Sequence, residues 1–579
     1  MLRKINLITN SLPILSLVTA SFFFANLAAK ADEAGPVIDC MEKELLRNFK
    51  ILKKAEYPAY FIAYRLYDKE SMDVVAAGGS ISKLVPYRHQ AYASVEVRVG
   101  DYKLDSSHRL VNDERDQAEQ TLGAFGVVPL DAGKSLRSVF WLETEKQYRV
   151  ATQRYGKVLA QRGLKTDEDD CPDFSKEKSY TSLSKTDVVP IDFEPFKQAA
   201  KKLSLIFSRY PEIEQSWSEF KVSRTRRYIV NSELSAVKDK SSIVNFYFGA
   251  SGTAKDGEKI ERYQSIYFAN PEDLVLREAS LEKSVTQLAS SIEGYIKAPL
   301  AEPYCGPVIL RGSAAAVLFH EVLGHRLEAS RHRENSDGKT FTKMLGKKIL
   351  PTFISLYDRP TLPKIDDVDL NGHYLVDDDG VPAQDVTLVK NGILSNFLTA
   401  RSPTPTSPAS NGHGRCGDSS TAMPASRMAN LIVESTRTVS EDKLRQLLIE
   451  EVKKQGKPYG LIIEQADSGE TDTSSYRPQV FQIRPSIVKR IYADGRPDEL
   501  IRGVRIIGTP MAALQHIVMT ADKTQVFNGY CGAESGWVPQ ANCCPSLLLD
   551  SLEIERETPS RGIARILPPP PTDAAGGGQ

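Results

Sequence analysis

Residues 60–67, 74–79 and 91–99 either alternate apolar and polar positions or carry runs of β-branched and aromatic side chains. Those patterns predict strands. Residues 226–230 and 243–248 read the same way. Between these stretches the period lengthens to that of helices, over 42–54, 130–162 (with Asp131 as a cap), 193–207 and 281–297. The polar, acidic run 165–187 reads as a loop. An N-terminal α+β domain of mixed α and β elements is therefore expected over residues 32–300.

Prolines at 299 and 303 mark a boundary. Beyond it, 307–310 is a short buried strand, and Ser313 is placed to cap a helix running through Ala314, Val317 and His320 to about Ser330. A charged loop is expected over 331–350. Strand-like runs follow at 374–377, 386–391, 393–398, 431–434, 461–464, 479–484, 487–492 and 500–507. Asn391-Gly392 between two of them is a strong hairpin signal. A β-rich domain, barrel-like or a curved sheet, is expected over 301–558, carrying the helix that begins near Ser313. Residues 559–579, rich in proline and glycine, are expected to be a disordered tail. No internal repeat is detected.

Composition narrows the function classes. The chain has 579 residues, 41% hydrophobic and 26% charged, with formal net charge zero. That balance is ordinary for a globular protein and argues against a nucleic-acid surface. The first 31 residues have a basic start at Arg3 and Lys4, an apolar stretch over 12–27 and a small-x-small site at Ala29-Lys30-Ala31. This predicts a signal peptide and an exported chain, periplasmic or secreted, with no stable membrane span after cleavage. The alternative is an uncleaved anchor. Seven cysteines stand at 40, 171, 305, 416, 531, 543 and 544. In an oxidising compartment an odd number leaves one thiol over, and a metal site would be a natural home for it.

The candidate chemistry lies in His320-Glu321-Val322-Leu323-Gly324-His325. Two imidazoles bracketing a carboxylate on one helix can supply two zinc ligands and a general base. The spacing is unusual, because histidines at i and i+5 stand about 140° apart on an ideal α-helix. Sharing one ion requires a local π-turn or a kink, which Gly324 would ease. The competing reading is an ordinary helix with two unrelated histidines.

The chain resembles one family over roughly residues 300–556, the TldD/PmbA metallopeptidases. The resemblance rests on residues 320–328, His-Glu-Val-Leu-Gly-His-Arg-Leu-Glu, and on Asp378-Asp379-Gly380-Val381-Pro382 followed by Val389-Lys390-Asn391-Gly392. It continues through Asn411-Gly412-His413-Gly414-Arg415, Met423-Pro424, Arg427-Met428, Gly529-Tyr530-Cys531-Gly532 and Leu549-Asp550-Ser551-Leu552. The resemblance implies a zinc ion held by His320, His325 and Cys531, with Glu321 as the catalytic base. It implies a dimer as well, a homodimer or a heterodimer with a paralogue. Two departures from the family pattern fall near the cleft: residues 465–472 replace a glycine-rich stretch, and Trp537, Cys543 and Cys544 follow the ligand cysteine.

The expected function is hydrolysis of peptide bonds in unfolded polypeptides or short peptides, with Glu321 moving the proton between water and the leaving amine. One alternative is a non-catalytic partner subunit, and another is a zinc amide hydrolase acting on a non-peptide substrate. Glu328 is a candidate either to ligate zinc directly or to orient one of its ligands from behind. His413 is a candidate cleft residue, whereas His332 and His373 read as loop histidines.

Overall fold

The computed structural model describes residues 35–110, 123–125, 132–161, 171–184, 190–333, 340–417, 423–473 and 480–557. The signal-like segment 1–31, Asp131 and the tail 559–579 lie outside the described residues. The fold is mixed α and β, as expected, and is built on two large sheets, one on each side of residues 299–303.

The first sheet has seven strands, in the order Gly123–Phe125, Ser80–Val99, Ala59–Ala77, Gln215–Asn231, Ala236–Thr253 and Thr181–Leu183, with Lys259–Phe268 also pairing with Ala236–Thr253. Its strands are longer than the sequence pattern suggests. Residues 60–67 and 74–77 belong to one strand, Ala59–Ala77, because the polar run between them stays in the sheet, while Gly78 and Gly79 form the turn after it. Asp68 is buried there and is met by His89 Nε2 at 2.6 Å and Arg226 Nη2 at 2.5 Å. Helices Glu194–Ser204 and Leu274–Lys297 pack Phe196, Leu203, Leu281, Val285 and Ile292 onto Phe220, Phe246 and Phe248. The helix over 35–52 and Lys134–Gln161 seal another part of the sheet with Met41, Leu45, Leu136 and Phe140.

The second sheet has twelve strands. Strand Gly536–Arg556 is its hub, pairing with Asn430–Ser435, Val504–Gly508, Ile517–Ala533 and Tyr304–Leu310. Five of its strands form a closed circuit of pairings: Gly536–Arg556, Val504–Gly508, Phe481–Tyr492, Tyr459–Thr471 and Tyr304–Leu310. Residues 374–377, expected as a strand, contribute only the single bridge Val376 to Pro382. The Asn391-Gly392 turn is present, with φ of +49° and +81°. Helix Glu441–Lys454 is an addition, although its signal was legible: Ser440 Oγ accepts from the Lys443 N–H, and Leu444, Leu448 and Val452 make its buried stripe.

Asp378 and Asp379 fasten the two sheets together. Arg65, fully buried in the first sheet, donates to the Asp378 carbonyl at 2.6 Å and to Asp379 Oδ1 at 3.2 Å. Arg227 Nη1 donates to Asp378 Oδ1 at 2.7 Å. Each guanidinium also has a carboxylate partner within its own sheet, Glu96 for Arg65 at 2.8 Å and Asp239 for Arg227 at 2.6 Å. All seven cysteines are free thiols. The odd count therefore does not single out Cys531; its position does.

Asp467, on Tyr459–Thr471, lies near the junction of the sheets, where Gln264 Nε2 donates to Gln465 Oε1 at 3.1 Å. Burial foremost pushes its carboxyl up to about 6; Glu261 adds to this, while the Ser486 hydroxyl and Arg262 oppose it. A carboxyl with a folded-state pKa above its unfolded value stabilises the fold at low pH, and that stability is lost as pH rises through about 6. Asp467→Asn is expected to raise stability by about 1–3 kcal/mol at pH 8 and to change it little at pH 4. Thermal melts at both pH values check this, and an equal effect at both would contradict it.

Candidate metal centre

Strand Tyr304–Leu310 delivers the chain to helix Gly312–Phe319, whose Ala314, Ala315 and Ala316 are fully buried. Small side chains let this helix sit close against the strands around it. Ser313 is not its cap: no side chain caps the helix, and Ser313 Oγ accepts from the Ala466 N–H instead. The helix is also shorter than expected. It ends at Phe319, and the chain continues as a π-helical turn over His320–Gly324 and 3₁₀ turns to Arg333.

The π-turn resolves the spacing problem. The His325 N–H bonds to the His320 carbonyl, an i→i−5 link that brings both imidazoles to one side. Gly324 is needed for a reason other than backbone freedom, since its φ of −48° is ordinary helical geometry. A Cβ there would lie 2.1 Å from Met428 Sδ. The glycine allows close packing under the turn.

The third donor arrives from the hairpin Ile517–Ala533 and Gly536–Arg556. Cys531 Sγ lies 3.4 Å from His320 Nε2 and 3.4 Å from His325 Nε2. All three donor atoms lie within 4.8 Å of one another, and all three residues are buried. A tetrahedral zinc ion with Zn–S of about 2.3 Å and Zn–N of about 2.0–2.1 Å needs S···N separations of about 3.5 Å. The donors therefore fit a zinc ion in both chemistry and spacing.

Their orientation is set from behind. His320 Nδ1 is 3.4 Å from Asn542 Oδ1, and His325 Nδ1 is 3.0 Å from Glu328 Oε2. Each Nδ1 thus faces an acceptor, which leaves Nε2 as the donor atom turned to Cys531. Glu328 is fully buried and also receives Arg331 Nε at 3.1 Å and the Met428 N–H at 3.2 Å. It faces the outer side of His325 and so orients that ring. Arg427 Nη2 donates to the Cys531 carbonyl at 2.7 Å, and Arg427 Nη1 donates to Ser535 Oγ at 3.0 Å, fixing the hairpin end that carries the thiol.

The electrostatics favour a thiolate. Burial alone would raise the Cys531 thiol, but His325 and His320 hold it well below the ordinary range. Burial likewise disfavours the charged form of His325, yet Cys531 and Glu328 push it up to about 10. Glu328 is held below the usual carboxylate range despite burial, chiefly by His325. Glu321 shifts the other way, raised mainly by burial. A carboxylate with raised basicity beside the three donors suits proton transfer. Gly469 lies against it: a Cβ at 469 would come within 2.5 Å of Glu321 Cγ, so any side chain there would strike the candidate base.

The other histidines lie elsewhere. His413 is fully buried, with Nδ1 2.9 Å from Asn411 Oδ1 and Nε2 3.4 Å from Asp358 Oδ1. It is a packed core histidine and does not line a cleft. His373 Nδ1 meets the Pro360 carbonyl at 2.9 Å, and the His332 ring packs edge-on to Phe397. Asn542, Arg427, Arg331, Arg326 and Gly469 went unnoticed in the sequence as site residues. Arg427 sat within a resemblance block, and Gly469 within the divergent segment. Asn542 has no local signal, because it reaches His320 only through strand pairing.

Residues 304–556 match the PmbA/TldA metallopeptidase C-terminal domain. A metalloprotease TldD homolog from Buchnera aphidicola is 26% identical over 251 residues, covering 43% of this chain and 47% of that protein. A second, from Haemophilus influenzae, is 27% identical over 251 residues, covering 43% and 48%. The chain thus matches about half the length of these curated relatives. Among solved structures, TldE from Thermococcus kodakarensis superposes with a TM-score of 0.57 at 14% identity, over 89% of this chain and 100% of that one. A candidate modulator of a DNA gyrase from Thermotoga maritima gives 0.59 at 16% identity, over 89% and 100%. At such identities the structures establish a shared fold. The homologues' names support a metallopeptidase at the level of family, and residues 304–556, which hold His320, Glu321, His325 and Cys531, match its C-terminal domain.

Proposed function

We propose that this protein is a zinc-dependent peptidase acting on unfolded polypeptides or short peptides, with His320, His325 and Cys531 as metal ligands and Glu321 as general base. The observation that carries this reading is the convergence of two imidazole nitrogens and one thiol within 4.8 Å, beside a carboxylate of raised basicity. When bound, zinc supplies a Lewis acid that polarises a carbonyl and makes water acidic near neutral pH. Glu321 takes the proton from the attacking water and delivers it to the departing amine. Glu328 and Asn542 hold the two imidazoles in the required orientation.

An extended substrate suits the surroundings of Glu321. Among the described residues, 465–471 pair on one side only, with Phe481–Tyr492, and Gly469 of this segment lies against the base. Such a strand can hold a peptide by main-chain hydrogen bonds, largely independent of its sequence. The reading as a non-catalytic partner subunit is disfavoured by the complete donor set. The active unit is proposed to be a dimer, a homodimer or a pair with a paralogue; the structural likeness to TldE supports the second form. Export to the periplasm or outside the cell is proposed from the first 31 residues. Among the described residues, no helix is long and apolar enough to cross a membrane.

The test combines metal analysis with digestion. One zinc per chain is expected, together with far faster cleavage of a denatured protein than of the same protein folded. The folded substrate must first open, at a cost of up to about 5–15 kcal/mol. Failure to take up zinc on reconstitution, or hydrolysis confined to non-peptide amides, would overturn the proposal.

A further inference from the structure

We propose that Arg326 is a carboxylate-recognition residue for the substrate; this deepens the peptidase reading above and rests on it. Arg326 follows His325 directly and is 3% exposed, against 6% for Glu321, 7% for His320 and 8% for His325. It is as deeply placed as the ligands and the base. Its direct partners carry no charge, and the Glu321 and Asp472 carboxylates nearby offset its burial only in part. Nη1 donates to the Glu321 carbonyl at 2.5 Å and Nη2 to the Asp472 carbonyl at 3.4 Å, both backbone acceptors. Nε is buried without a partner among the described residues. The guanidinium makes no ion pair with a described carboxylate, whereas Arg331 and Arg427 beside it pair with Glu328.

A buried cation without a counter-ion is costly, and the cost falls when an anion arrives with matching geometry. The guanidinium is suited to a carboxylate, which it meets with charge-assisted hydrogen bonds. Its main-chain tethers run to Glu321 on one side and to Asp472, at the end of the strand beside the base, on the other. An anion meeting Arg326 would therefore sit within a short reach of the bond that Glu321 serves. Two sources share this chemistry: the free C-terminus of a short peptide, or an acidic side chain close to the scissile bond. The first would make the protein favour cleavage near a carboxy-terminus, and the second would make it favour acidic sequences.

The experiment uses the full-length zinc-loaded Glu321→Gln protein, which binds without turning over. Three fluorescein-labelled alanine–glycine hexapeptides serve as probes: the free acid, its C-terminal amide, and the amide with one internal glutamate. Anisotropy titrations are expected to show one carboxylate-bearing probe, or both, binding about 10- to 100-fold tighter than the neutral amide. Which probe gains identifies the source. Arg326→Met should abolish the difference, and Arg326→Lys should retain part of it. Equal binding of all three probes to the protein carrying Arg326 would overturn the proposal without any Arg326 variant having to fold. A preference that survives Arg326→Met would overturn it as well. Turnover of the same probes by the protein carrying Glu321 separates the two claims. Cleavage without preference removes the subsite and keeps the peptidase; an Arg326-dependent preference without cleavage removes the peptidase and keeps the subsite.

Discussion

Glu321→Gln is expected to lower peptide hydrolysis by about 10²–10⁴-fold or more while metal content stays unchanged. The amide has nearly the shape of the carboxylate but cannot accept a proton. Glu321 is only 6% exposed and packs against Gly469, so an isosteric change leaves that packing intact. The substitution also leaves the three donor atoms in place, because the π-turn that aligns them is held by the backbone bond from His325 to His320. Turnover and zinc content measured on the same preparation check the prediction. Retained activity would assign proton transfer to another group, and Glu328 is a poor substitute: it is held ionised on the outer side of His325.

Cys531→Ser should lose zinc far more readily than Cys416→Ser. A neutral hydroxyl replaces a thiolate that both imidazoles face at 3.4 Å. Loss of an orienting partner typically weakens a site by about 10–100-fold, and loss of a ligand should exceed that. Cys416 provides the control. It is a free thiol facing the first sheet, 3.5 Å from the Tyr67 hydroxyl, and burial raises it, so it offers no thiolate. Competition with a chromogenic chelator would measure both affinities. Equal zinc affinity in the two variants would remove Cys531 from the ligand set.

Much of the candidate metal centre could be read along the chain, because part of it is local. His320, Glu321 and His325 are contiguous, and their i, i+5 spacing by itself demanded the π-turn that the structure contains. The Asn391-Gly392 turn was equally local, set by two residues that tolerate positive φ. Other features depended on partners distant in sequence. The strand through Asp68 continues because His89 and Arg226 neutralise a buried acid, and no local pattern contains those partners. Gly324 looked like a source of flexibility, yet it is required because Met428, about a hundred positions away, packs against it. Ser313 looked like a cap and instead bonds to Ala466.

The chain by itself determined which chemistry was available: two imidazoles, a carboxylate and a thiol in a segment able to bend as a π-turn. Among seven free cysteines the family resemblance pointed to Cys531, and the tertiary structure supplies the reason: the hairpin register places that one opposite the helix. Only the tertiary structure decided that Asn542 and Glu328 would orient the rings, that His413 would be packed away from the centre, and that Arg326 would be buried with no ion pair to a described carboxylate. The physical reason is that a side chain's chemical type is fixed by its own position, whereas its neighbours, burial and charge state are set by strand register and packing across long sequence separations.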